Sequence, residues 1–197
     1  MTNDTGRGRA RSGQPGIRIR TAAVGDAAAL AQLARLTFPL ACPPGTATAA
    51  IEEFLASQLS EQRFRDYVAD PAREVLLLSV GGSLVGYSMT VYGPAVYGPA
   101  ADPAVAALLP IGYTAELSKF YLLAAQHGSG RAVTLMTSTL AAAAKRRVTG
   151  LWLGVNQRNA RAIRFYRRCG FEVMGTKTFW VGPELHQDFV LARPTAR

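Results

Sequence analysis

The sequence predicts an α/β domain built on a sheet of mixed strand direction. Three observations carry that expectation. Stretches with strand-like alternation and stretches with helical periodicity follow one another as β, two helices, βββ, α, β, α, ββ. Two apolar runs, EVLLLSV and LVGYSMTVY, flank Gly81-Gly82-Ser83, which reads as a hairpin. The Gly-rich stretch HGSGRA then joins a strand at 116–123 to a long amphipathic helix.

Each element has a local reason. Residues 1–16 are polar, basic and without apolar periodicity, so a disordered tail is expected there and a single domain over 17–197. IRIRTA (17–22) alternates as a strand. Asp26 is expected to cap the helix AAALAQLARLTF, with Leu30, Leu33 and Ala34 on one face. Pro43-Pro44-Gly45 breaks the chain, and residues 46–67 read as one or two helices around Ile51, Phe54, Leu55 and Leu59. Residues 93–110 form a Pro/Gly-rich loop with room for a short helix. The helix after 129 shows an apolar stripe at Val133, Met136, Leu140 and Ala144. LWLGV is a buried strand, 160–168 a short helix ended by Gly170, and FEVMGTKTFWV and HQDFVLAR two paired strands.

With 197 residues and 49% apolar content the chain can bury a real core. No apolar run is long enough to cross a bilayer, and the N-terminus does not read as a signal peptide. Cys42 and Cys169 lack both a disulfide framework and metal-ligand spacing. A reduced, cytoplasmic protein without a metal is expected. The formal net charge of +9 is uneven: six arginines meet eight acids over 17–110, while thirteen Lys and Arg meet four acids over 111–197. No interleaved aromatic and basic stripe accompanies it, so nucleic acid is not the expected partner.

The basic half contains HGSGRA. A helix N-terminus offers unpaired N–H groups and a partial positive charge, and glycines let an anion approach the backbone. Gly128 and Gly130 fit that role, with Ser129 as a hydroxyl donor and Arg131 as a charge. Neither the Walker nor the Rossmann glycine pattern is present, and a plain Gly-rich connection is the competing reading. Downstream, LWLGVNQRNARAIRFYRRCGF gives a strand, a polar turn and a helix with Asn159 and Tyr166 on one face. Taken alone, Tyr166 reads as a packed aromatic.

Together these stretches resemble the GNAT superfamily of N-acetyltransferases. His127-Gly128-Ser129-Gly130-Arg131-Ala132 matches its Gln/Arg-x-x-Gly-x-Gly/Ala turn, with His127 replacing the usual Gln or Arg. Asn159, Ala162, Phe165, Tyr166, Gly170 and Phe171 match its N-x-x-A-x-x-F-Y-x-x-x-G-F signature. The resemblance covers 17–193 and is tightest from 116. WLGVNQRNARAIRFYRRCGF and TFWVG also resemble the PaiA-like subgroup, whose members acetylate polyamines.

The resemblance implies a mostly antiparallel twisted sheet of about seven strands flanked by about four helices, and acetyl-CoA as cosubstrate. It implies that His127, Gly128, Ser129, Gly130, Arg131 and Ala132 hold the pyrophosphate. The backbone of Tyr121, Leu122 and Leu123 would run along the pantetheine arm, with the N–H near Leu122 donating to the acetyl oxygen, and Asn159 would hold the cofactor, with a helix N-cap as its competing role. Tyr166 is implied as the acid that protonates the departing thiolate. An alkyl amine of pKa about 10.4 is neutral in roughly one molecule in a few thousand at pH 7, so its proton needs an acceptor. Glu116 is the expected base, and a strand-edge salt bridge is its alternative role. The acceptor is expected to be a small cationic amine such as a polyamine, drawn by Glu52, Glu53, Glu61 and Asp66. A protein or peptide amine is the alternative acceptor, an acetyl-CoA sensor the non-catalytic alternative. A homodimer is expected from the family's habit.

Overall fold

The computed structural model describes residues 16–93, 103–109, 115–181 and 184–195. The expected basic tail lies outside them apart from Gly16, as does much of the 93–110 loop. Seven strands form one sheet: β1 (Ile17–Thr21), β2 (Arg73–Val80), β3 (Ser83–Tyr92), β4 (Ala115–Leu122), β5 (Gly150–Asn156), β6 (Glu172–Val181) and β7 (Glu184–Pro194). Their order is β1-β2-β3-β4-β5-β7-β6. Every neighbouring pair is antiparallel except β4–β5, which is parallel. The expected mixed, mostly antiparallel sheet is what the chain forms.

Helices cover both faces. On one side lie α1 (Ala27–Thr37), α2 (Thr48–Gln58) and α3 (Glu61–Ala69), whose Leu30, Leu33, Leu55 and Phe64 pack on Val75, Leu77, Tyr87 and Met89. The short α4 (Pro103–Leu108) seats Val105 on Trp152, Val190 and Ala192. On the other side α5 (Arg131–Lys145) and α6 (Ala160–Arg168) pack Met136, Ala143 and Tyr166 on Leu151, Leu153, Val155 and Leu191. The stretch read as one or two helices is two, divided at Leu59. Ser60 caps the second by accepting from the Arg63 N–H at 3.4 Å. Among the described residues no helix is long and apolar enough to cross a membrane.

Two local expectations are corrected. Asp26 precedes α1 but makes no side-chain bond into it. Its carboxylate instead accepts from the Ala23 N–H at 2.8 Å and from Nη1 and Nη2 of Arg20, each at 2.6 Å, closing a short 3-10 turn at Val24–Asp26. The buried face of α5 carries Leu135, Met136, Thr139 and Ala143, whereas Val133 is 55% exposed. Thr139 can turn inward because its hydroxyl donates to the Leu135 carbonyl at 2.9 Å and meets the Ser88 hydroxyl at 2.8 Å.

Candidate active site

The parallel junction of β4 and β5 is where the sheet opens. The two strands pair only at Ala115–Leu151 and Glu116–Trp152, although β4 runs on to Leu122 and β5 to Asn156. Beyond the second pair they diverge. A cavity of about 430 Å³ lies along the gap, lined by residues from both faces of the sheet. Diverging parallel strands leave backbone groups unpaired, and a ligand can take them up.

The turn after β4 forms one end of the cavity. Gly128 (φ 77°) and Gly130 (φ 81°) both take the left-handed conformation, and no atom lies within 4 Å of where a Cβ would stand on either. Gly130 is the N-cap of α5, so the first N–H groups of that helix open at the turn. The Ser129 hydroxyl donates to the Gln126 carbonyl at 2.6 Å, and Arg131 bonds the Gln126 side chain. Both side chains proposed from sequence as anion donors are thus engaged with Gln126. What the turn offers an anion is its backbone.

His127 is held from two sides. Arg161, on α6, donates to its Nδ1 at 2.9 Å and reaches the Leu40 carbonyl at 3.3 Å. A guanidinium can only donate, so Nδ1 accepts and the ring proton sits on Nε2. Burial, then the charge of Arg161, lowers the His127 pKa, against a hydrogen bond to the Leu122 backbone. The ring is neutral near pH 7 and serves to anchor Arg161. Asn159 caps α6, its Oδ1 accepting the Ala162 N–H at 3.0 Å, and also lines the cavity.

Along β4, the Leu123 N–H donates to the Val85 carbonyl at 2.9 Å, on the β3 side. Strand alternation therefore turns the Leu122 N–H toward the gap. An extra residue in β4 matters more. Met89 pairs with Lys119 but Thr90 pairs with Leu117, so Ser118 is bulged out of register. The bulge resets the alternation. Leu117 and Phe120 pack on the α5 side, while Tyr121 joins the α1–α3 side and Lys119 rests against the Tyr67 ring of α3.

Tyr166 lines the cavity from α6 within an aromatic cluster, its ring centroid 6.3 Å from Phe120, 5.5 Å from Phe165 and 5.8 Å from Phe171. Burial, aided by nearby Tyr121 and Cys169, pushes its phenol pKa far up, so it stays protonated. Glu116 lines the same cavity. Burial raises its pKa against the pull of Lys177, Lys119 and Arg73. Burial lowers Lys119 to about 8, with Glu116 opposing. Lys177 and Asp188 pair across β6 and β7 and line the cavity at Gly154. Burial raises both cysteine thiols, leaving neither poised as a thiolate.

All the residues proposed from sequence as catalytic or cofactor-binding, except Leu123, Ser129, Gly130 and Arg131, line this one cavity. Those four flank it at the end of β4 and the turn. Glu52, Glu53, Glu61 and Asp66 do not line it. Glu52 pairs with Arg35 at 3.8 Å, Glu61 with Arg65, and Asp66 accepts from Gln62 at 2.9 Å. Sequence reasoning missed Arg161, Lys119, Lys177 and Asp188. Lys119 had a partial signal, a second charge three residues after Glu116 in the strand ELSKFYLL; Asp188, in the mixed stretch HQDFVLAR, had none.

The glycine turn, open to an anion beneath a helix N-terminus and followed by a gap with inward backbone donors, fits acetyl-CoA. Among the described residues no cluster of metal-ligating side chains occurs. Comparison with known proteins agrees with that fit. A profile of the acetyltransferase (GNAT) family matches residues 29–171. An uncharacterised N-acetyltransferase of Mycobacterium tuberculosis is 42% identical over 170 residues, covering 85% of this chain and 97% of its own. The crystal structure of the PaiA N-acetyltransferase of Thermoplasma acidophilum with coenzyme A superposes with a TM-score of 0.69 at 16% identity, over 91% of this chain and 99% of that one. The spermidine N-acetyltransferase of Vibrio cholerae, solved with CoA and spermine, gives 0.59 at 16% identity, over 91% and 96%. An opened parallel junction, a glycine turn and a family profile spanning both place this chain in the GNAT family of acetyl-CoA-dependent N-acetyltransferases.

Proposed function

We propose that the chain transfers an acetyl group to a small primary amine, with Glu116 as base and Tyr166 as acid. The observation that supports this most is the placement of both residues on one cavity, with burial holding the Tyr166 phenol protonated. Acetyl-CoA supplies the thioester electrophile. The backbone of His127, Gly128, Ser129, Gly130, Arg131 and Ala132 receives its pyrophosphate, with Arg161 and Asn159 alongside. Tyr121, Leu122 and Leu123 border the arm, and the Leu122 N–H stabilises negative charge developing on the carbonyl oxygen.

Glu116 takes the proton of the amine, directly or through water, as the C–N bond forms. Its raised pKa brings it nearer the proton it must accept. Tyr166 gives its proton to the sulfur as the C–S bond breaks, and its raised pKa keeps that proton in place until then. No covalent enzyme intermediate is needed, which accords with the unactivated state of Cys42. A polyamine acceptor is the expectation from sequence; the likeness to the spermidine enzyme, at 16% identity, is one of fold and does not select it. Incubation with acetyl-CoA and a broad amine panel tests the proposal. Amine-dependent thiol release is the expected result; acetyl-CoA binding without release to any amine would contradict it.

A further inference from the structure

The charges that β4, β6 and β7 place on the cavity wall are of both signs. Glu116 and Lys119 come from β4, Lys177 from β6 and Asp188 from β7, and all four line it. The Ser118 bulge is what brings Lys119 to this side. Its ammonium lies 5.1 Å from the centroid of the Tyr67 ring and makes no ion pair among the described residues. Arg73, the neighbouring cation, is by contrast paired with Asp70 at 2.9 Å. Lys177 is seated by an omission. A Cβ on Gly154 would stand 2.8 Å from its Cε and 3.1 Å from its Nζ, so only glycine leaves the ammonium that place. Asp188 Oδ2 would be 3.4 Å from the same point.

A site for polyamines would gain from carboxylates and lose from every cation that it holds in a partly desolvated wall. This wall holds two lysines against two carboxylates, Glu116 and Asp188, and the acids of α2 and α3 that would tip it negative do not line it. An ammonium matches Glu116, and a carboxylate matches Lys119 and Lys177. We infer that the acceptor is a small amino-carboxylate, its amine presented to Glu116 and its carboxylate held by Lys119 and Lys177. The inference rests on the acetyl-transfer reading and narrows its substrate class. The cavity of about 430 Å³, shared with the thioester arm, keeps that acceptor small.

The test is a comparison at saturating acetyl-CoA of free amino acids, their C-terminal amides, and putrescine, spermidine and spermine. The best amino acid is expected to exceed both its own amide and every polyamine in kcat/KM by about tenfold or more, the scale of a buried charge pair. Lys119→Met and Lys177→Met should each narrow the acid-over-amide ratio by about tenfold through KM, and Lys119→Arg should restore part of it. Unchanged melting temperatures would separate these effects from misfolding. Faster turnover of amides or polyamines by the native chain would overturn the inference and leave acetyl transfer standing. So would an acid preference that survives in both methionine variants. Failure to transfer to any amine would overturn both readings.

Discussion

The Arg161 guanidinium donates to Nδ1 of His127 at 2.9 Å and so ties α6 to the glycine turn across the mouth of the cavity. Its second bond, to the Leu40 carbonyl, reaches the segment between α1 and α2. One side chain thereby joins the three walls around the proposed pyrophosphate site. Arg161→Ala is expected to raise KM for acetyl-CoA by about tenfold, the effect of losing one charge-assisted hydrogen bond, with a smaller change in kcat. Steady-state kinetics at varied acetyl-CoA measures both.

Gly128 and Gly130 are expected to tolerate alanine in space but not in conformation. Nothing lies within 4 Å of either Cβ position, yet both φ values are left-handed. Each Gly→Ala change should cost about 1–2 kcal/mol if the turn is kept, or move the turn to avoid that cost. Acetyl-CoA affinity by calorimetry should fall in either case, with at most a small drop in melting temperature.

Glu116 should show a trade between stability and activity. Its folded pKa lies above its ordinary value, so the folded chain binds that proton more tightly than the unfolded one does. The associated stability is present at low pH and is lost as pH rises through the folded value. At pH 7 Glu116→Gln is therefore expected to hold or raise the melting temperature, while kcat/KM falls about a hundredfold or more. The native acidic limb of the kcat/KM profile should lie above an ordinary carboxylate's and vanish in the variant.

Buried Ser88 and Thr139 form a hydroxyl pair between β3 and α5. Thr139 spends its hydrogen on the Leu135 carbonyl, so Ser88 is the donor to Thr139. Thr139→Val leaves that donor unmet and is expected to cost about 1–3 kcal/mol, whereas the double change Ser88→Ala with Thr139→Val should cost less than the two single changes summed. Urea unfolding of the four chains measures the coupling.

The same pair shows where sequence stops being legible. The succession of elements along the chain, the hairpin at Gly81-Gly82 and the glycine turn all follow from period and turn chemistry, and the structure has them. The buried face of α5 does not, because a threonine satisfied by its own helix and a facing serine looks polar in sequence and behaves as core. Asp26 shows the same limit: its partner Arg20 decides which N–H its carboxylate meets. In the site, the motifs placed Glu116, Tyr166, His127 and Asn159 on one cavity. The bulge at Ser118 has no sequence signature, so nothing in ELSKFYLL put Lys119 on the same face as Glu116. The acids of α2 and α3 misled for another reason: Glu61 and Asp66 meet Arg65 and Gln62 four residues away on their own helix, and Glu52 meets Arg35 once α1 and α2 pack.

The central claim is that Tyr166 is the acid of an acetyl transfer carried out in this cavity. Phenylalanine keeps the ring among Phe120, Phe165 and Phe171 and removes only the hydroxyl. Thiol release from acetyl-CoA, followed with the best acceptor amine in the native chain and in Tyr166→Phe, measures that hydroxyl alone. The account predicts that kcat falls about a hundredfold with acetyl-CoA affinity and melting temperature unchanged. Native kcat in the variant would show that the thiolate obtains its proton elsewhere, and would contradict the claim.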